Sequence, residues 1–158
     1  MLGSRWLLEH PTVPRDSIVA QINLDMIGRG GADDVPGGGP HNLKVVGARR
    51  LSRELGAVVE AVNGERAEPF ALDWSWDAPG HPERIYCRSD HYMYALRGIP
   101  VAFFMTGMHR DYHQRTDEPQ YIDYPKLAAV TGYVRDLAVR LADRPERPKV
   151  SGKADAGC

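Results

Sequence analysis

Ile99-Pro-Val-Ala-Phe-Phe-Met-Thr106 carries the strongest strand signal in this chain, and Ser89-Asp90-His91 and Asp111-Tyr112-His113 bracket it. Its side chains are apolar on both alternating faces. A strand of that kind is buried on both sides, as in a parallel sheet covered by helices above and below. Residues 18–24 repeat the pattern and run straight into Asp25 through Asn23-Leu24-Asp25. In open α/β sheets, sites form in the crevices outside the carboxyl ends of the strands. Asp25 and His113 both lie just past such ends.

The rest of the chain fits this frame. Residues 4–9 read as the end of a helix stopped by Pro11 and Pro14. The interval 28–40 holds six glycines and two prolines and reads as a loop. A short strand is expected over 43–46. Leu51, Leu55, Val58, Val59 and Val62 fall at helical spacing, which predicts one amphipathic helix over 48–62. A further strand is expected over 70–76. Ser89 is an N-cap residue type for a short helix over 90–97, with Gly98 beyond its end. Leu127, Val130, Val134, Leu137 and Leu141 form a core stripe on a last helix that starts at Pro125. The expectation is an α/β fold: a three-layer α/β/α sandwich around a mixed, mostly parallel sheet, with the strand at 18–24 central. One domain is expected over residues 1–143, followed by a disordered tail over 144–158.

Bulk composition sets limits. At 158 residues the chain fits one domain with a real core. The 20 Lys and Arg against 21 Asp and Glu give a net charge of -1, and the basic residues are scattered. That argues against a nucleic-acid partner. No apolar run reaches the ~18 residues of a membrane helix, and residues 1–6 lack the pattern of a signal peptide. Cys87 and Cys158 have no metal-binding spacing; Cys87 reads as a small apolar group, and a Cys87–Cys158 disulfide is the minor alternative.

The polar residues beside the strands are candidates for chemistry. A carboxylate at Asp25 suits a metal ligand as well as it suits a turn cap. His113 suits a zinc ligand or an exposed loop histidine, and Asp117, four residues on, suits its hydrogen-bond acceptor. His109 and His113 are four apart but lack the Glu of a HExxH helix. Asp90 and His91 suit supports beside a site, and Tyr86 suits either a donor to an oxyanion or a core residue. His10, His41 and His81 read as bystanders.

Together these segments resemble the co-catalytic di-zinc aminopeptidases and their carboxypeptidase relatives. The markers are Leu2-Gly-Ser, Ile22-Asn-Leu-Asp-Met-Ile-Gly-Arg29, Arg88-Ser-Asp-His91, Gly98-Ile-Pro100, Phe104-Met-Thr-Gly107 and Asp111-Tyr-His-x-x-x-Asp117. The resemblance implies hydrolysis of peptide substrates with zinc as cofactor, two ions in the complete enzyme. It implies that Asp25 and His113 are metal ligands, that Tyr86 steadies the oxyanion, and that Asp117 holds His113, with Asp90 and His91 beside the site. It further implies that three other ligands and a general-base Glu precede Leu2-Gly-Ser, so the chain reads as the C-terminal half of a peptidase, inactive alone and open to self-association through an exposed sheet edge. Glu118 and Tyr121 depart from the family's usual run. The other readings are a metal-free binding or receptor-type module of the same fold, and a zinc acyltransferase of glutaminyl-cyclase type. Family habit favours secretion or the periplasm.

Overall fold

The computed structural model describes residues 1–154. Four strands form one sheet in the order β1-β4-β2-β3: β1 is Gln21–Leu24, β2 Asn42–Val46, β3 Ala71–Asp73 and β4 Val101–Met105. β1 pairs parallel with β4, and β2 pairs parallel with β3. The junction between the two halves, β2 with β4, is antiparallel. The mixed, mostly parallel sheet is therefore as expected.

β4 is the apolar heart of the molecule, with all five residues buried. Its alternation divides the core. Ala102 and Phe104 point to the side where Leu43 and Val45 meet α3 (Arg53–Gly64) and α5 (Tyr124–Ala142). Val101, Phe103 and Met105 point to the other side, toward Val46, Tyr86, Tyr92 and α4 (His91–Ala95). Helices thus cover both faces. α1 (Leu2–Glu9) lies outside α4, tied to it where Ser4 Oγ donates to Asp90 Oδ1 at 2.8 Å.

Several elements differ from expectation. The helix expected over 48–62 is two, α2 (Ala48–Leu51) and α3, because Ser52 takes extended backbone (φ -142, ψ 107) and accepts from Leu55 N as an N-cap. Ser89 is not the cap of α4. That position is Asp90, whose side chain makes no capping bond. β1 is not central but at the edge of the sheet, and its residues are half-buried to exposed. Alternating apolar side chains report cover on both faces, not a partner on both edges. The segment read as a frayed tail turns back along α2: Ser52 Oγ donates to the Lys149 carbonyl at 2.7 Å, and the N–H groups of Ser151 and Gly152 donate to the Leu51 carbonyl. The broken helix leaves that carbonyl open, and the tail satisfies it. Cys158 lies outside the described residues, and so does its pairing with Cys87.

The directions of the strands decide where loops gather. β1 and β4 end at the same edge, and β2, being antiparallel to β4, begins there. The glycine-rich interval therefore crosses over the end of β4 on its way from β1 to β2. Gly30 sits at φ +114 with Thr106 so near that an added Cβ would lie 2.7 Å from the Thr106 Cβ, so only glycine fits the crossing. Lys126, buried on α5, donates from Nζ to the carbonyls of Gly30 (3.0 Å) and Gly39 (2.6 Å) and holds the crossing down.

If β4 organises both cores, Phe104→Ala should cost about 3–5 kcal/mol, because Phe104 is fully buried and meets Tyr133 edge-on at 5.5 Å. Urea unfolding followed by circular dichroism measures this. A loss under about 1 kcal/mol, the scale of a well-tolerated core swap, would contradict it.

Candidate active site

Asp25 leaves β1 with its N–H donating to the Phe104 carbonyl at 3.3 Å, the last rung of the parallel ladder. Met26 then takes a left-handed backbone, φ +58, uncommon for a residue with a side chain. The turn is held by Thr106, whose N–H and Oγ1 both donate to the Met26 carbonyl, at 3.2 and 2.7 Å. On the other side of the carboxylate, Ser89 Oγ donates to Asp25 Oδ2 at 2.8 Å and accepts from Asn23 Nδ2 at 2.9 Å. Asp25 is exposed but not loose: strand, turn and hydroxyl aim it.

His113 stands beyond β4 at the same edge. It too has φ +58. Its ring is exposed and stacks on Tyr112, centroids 3.9 Å apart. The Tyr112 hydroxyl accepts from Arg88 Nη2 at 3.3 Å, and Arg88 is the neighbour of Ser89. A chain of contacts thus runs from Asp25 through Ser89, Arg88 and Tyr112 to His113. Two left-handed non-glycine residues at the two candidate ligands cost of order 1–3 kcal/mol each, the kind of strain that collects at functional sites.

Asp117 does not bond to His113. Among the described residues it accepts from Arg29 Nη1 at 3.2 Å and lies 3.9 Å from His109 Nε2. The segment 111–117 is a run of tight turns, not a helix that would stack positions four apart, and a charged guanidinium is the stronger donor. Arg29, nearly buried, also donates to Asp111 Oδ2 at 2.8 Å, and from Nε and Nη2 to both oxygens of Asp34 at 3.0 and 2.5 Å. Burial pushes the Asp34 carboxyl up, but Arg29 and the Gly30 N–H outweigh it and hold it below the usual carboxylate range. Thr116 and Arg29 do the same for Asp111. These carboxylates raise Arg29 further above its ordinary value, Asp34 most of all. A cleft of 260 Å³ opens beside this network, lined by Met26, Arg29, His109, Asp117 and Ile122 among others.

Tyr86 and His91 sit deeper. Tyr86 is 1% exposed, its hydroxyl sealed from solvent, its ring edge-on to His91 and Tyr92 and covered by the Arg50 guanidinium at 3.9 Å. A role at an oxyanion needs an open hydroxyl, which this packing does not present. His91 is fully buried and stacks on Phe103 at 4.6 Å. Asp90 is occupied with Ser4 on α1. Around Asp25 and the His113 turn stand instead Ser89, which Asn23 in turn supports, Arg29 and Tyr112. Their only sequence signal was their place inside the short markers around the two ligands.

A carboxylate oxygen and an imidazole nitrogen are both zinc donors, and both side chains are open to take a ligand. Asp25 and His113 thus fit a zinc site as two of its donors. Among the described residues no group of three or more His, Cys, Asp or Glu side chains stands ready to hold a metal ion.

Asp25 thus follows β1 directly, and His113 lies in the loop after the neighbouring parallel strand β4. The model of peptidase family M28 matches residues 1–138, and the chain belongs to that family. No curated protein matches it in sequence. Three solved structures share the fold. The LapA aminopeptidase of Legionella pneumophila is 20% identical over 91% of this chain and 36% of its own, with a TM-score of 0.67. An aminopeptidase from Aneurinibacillus sp. strain AM-1 is 19% identical over 98% of this chain and 32% of its own, with a TM-score of 0.62. BSAP, a zinc aminopeptidase from Bacillus subtilis, is 17% identical over 98% of this chain and 36% of its own, with a TM-score of 0.60. The chain spans about a third of the length of each.

Burial lowers the His91 imidazole to about 4, whereas an unfolded histidine titrates near ~6.5. As pH falls through this window the unfolded chain takes up a proton that the folded chain refuses, so stability present above ~6.5 is lost toward 4. Asp77, lifted by burial to about 6, acts oppositely and costs stability as pH rises from ~4 to 6. Comparison with His91→Phe isolates the histidine. From pH 7.5 to 4.5 the parent should lose roughly 2–3 kcal/mol more than the variant in urea unfolding. Parallel pH profiles for the two would contradict the assignment.

Proposed function

We propose that the chain forms part of a zinc-dependent exopeptidase, acting as an aminopeptidase on peptide substrates, with Asp25 and His113 as zinc ligands. The observation that supports this most directly is the shared edge: β1 and β4 are neighbouring parallel strands, Asp25 directly follows β1, and His113 lies in the loop that follows β4. Zinc, when bound, would polarise a scissile carbonyl and acidify water. The chain's own contribution is to hold two donors at fixed places. Ser89 and the Met26 turn orient Asp25, and Tyr112 backs the His113 ring. The remaining ligands of a two-ion site and the general base are proposed to come from outside these residues, so the chain alone is proposed to lack peptidase activity.

Two measurements test the reading. Zinc added to the chain should shift the ring resonances of His113 in histidine-selective NMR, and Asp25→Asn should weaken that response tenfold or more. In the complete protein, chelator-sensitive release of amino-acid anilides should fall on the order of a hundredfold or more in either Asp25→Asn or His113→Gln. Full activity in both variants, or a His113 ring indifferent to zinc, would rule the ligand pair out.

We further propose that the free outer edge of β1 and the apolar surface on α1 promote self-association. Leu2 is 85% and Trp6 60% exposed on α1, and open strand edges and exposed apolar surface are where chains associate. Light scattering should find a mass above one chain that rises with concentration, and a constant monomer mass would refute it.

A further inference from the structure

Arg29 binds the loop after Asp25 to both flanks of His113. Its guanidinium plane is satisfied on two sides. Nε and Nη2 take Asp34 in the glycine-rich crossing, and Nη1 reaches Asp111 and Asp117, two residues before and four residues after His113. Tyr121 packs over the guanidinium at 5.1 Å. Asp111 is itself clamped, because Thr116 Oγ1 donates to its second oxygen at 2.7 Å. Within the turn, Gln114 N–H donates to the Asp111 carbonyl at 2.8 Å and Asp117 N–H to the Gln114 carbonyl at 3.2 Å. The left-handed backbone of His113 thus sits at the top of a small ring of bonds whose base is Arg29. Only a forked, planar donor serves Asp34 with two bonds while bridging two more carboxylates, which lysine's single ammonium does not do.

We infer that Arg29 is a positioning residue: through Asp111 and Asp117 it sets the place of His113 relative to Asp25, four residues before Arg29 itself. The inference rests on the zinc-ligand reading above for its consequence, but its geometry stands without metal. It accounts for why Asp117 faces away from His113, and for why a buried arginine lies so close to the sheet edge.

The test uses the whole chain with Arg29→Lys, and Asp111→Asn as a milder variant that leaves the Arg29–Asp34 pair in place. Lys126→Met serves as a control, since Lys126 holds the same glycine crossing without touching the His113 turn. In native-state hydrogen exchange, both variants should speed the Gln114 and Asp117 amides tenfold or more, while the amides of β4 change only with global stability. The control should leave the Gln114 and Asp117 amides within twofold. Zinc titration of the His113 ring gives the readout that a merely structural role would not move. Arg29→Lys should weaken zinc fivefold or more when Asp25 is present and less than twofold in an Asp25→Asn background. Exchange rates at Gln114 and Asp117 unchanged in both variants, or equal zinc losses in the two backgrounds, would overturn the inference. A parent chain whose His113 ring ignores zinc would sink the ligand assignment instead, and the exchange rates alone would then decide the role of Arg29.

Discussion

The parallel pairing of β1 with β4 is the constraint on which the rest depends. It brings the two strand ends to one edge, so that Asp25 and the turn carrying His113 start from neighbouring places. It also explains the glycine-rich crossing. Because β2 runs antiparallel to β4, the chain leaving β1 must pass over the end of β4 to enter β2, with little room for side chains. A register slip between β1 and β4 would exchange the faces of β1 and move Asp25 away from Ser89.

The polar groups of this edge are held by charges taken out of water. Arg29 and Lys126 are both buried, one neutralised by carboxylates and the other capped by two glycine carbonyls. A buried cation is costly unless it is paired or hydrogen-bonded, and here the partners come from different loops: Asp34, Asp111 and Asp117 for Arg29, and the Gly30 and Gly39 carbonyls for Lys126. The same bonds offset the left-handed backbone at Met26 and His113. Strain at the candidate ligands and charge beneath them are two sides of one arrangement, held by hydrogen bonds between loops.

Likeness to the three aminopeptidases reaches the fold and no further at this level of identity, while the family match spans most of the chain. The edge position of β1 and the exposed apolar groups on α1 agree with a chain that spans about a third of those enzymes' length. The two proposed ligands, Asp25 and His113, are exposed, where further groups have access to them.

Much of the fold was legible in the chain itself. Apolar pattern placed β1, β4 and the last helix, because side chains that alternate or recur every third and fourth residue have few other ways to be buried; β2 falls where a short strand is expected, and of the strand expected over 70–76 only Ala71–Asp73 forms, with Ser75–Asp77 in a 3-10 turn. Of the two candidate ligands, only Asp25 directly ends an apolar run; pattern alone left both residues open, and the family resemblance is what marked Asp25 and His113 as ligands. What the sequence could not determine was which groups meet across the fold. Ser89 has the look of a helix cap, and only packing turned its hydroxyl toward Asp25. Asp117 has the spacing of a partner for His113, and only the arrival of Arg29 from 88 positions away redirected it. The family resemblance suggested an oxyanion donor at Tyr86, and only the packing, with Arg50 over its ring and its hydroxyl buried, showed that the hydroxyl is closed off from solvent. Local pattern fixes which way a side chain faces, because that depends on the period of the backbone. Its partner is chosen by long-range contacts, whose energies belong to no single segment.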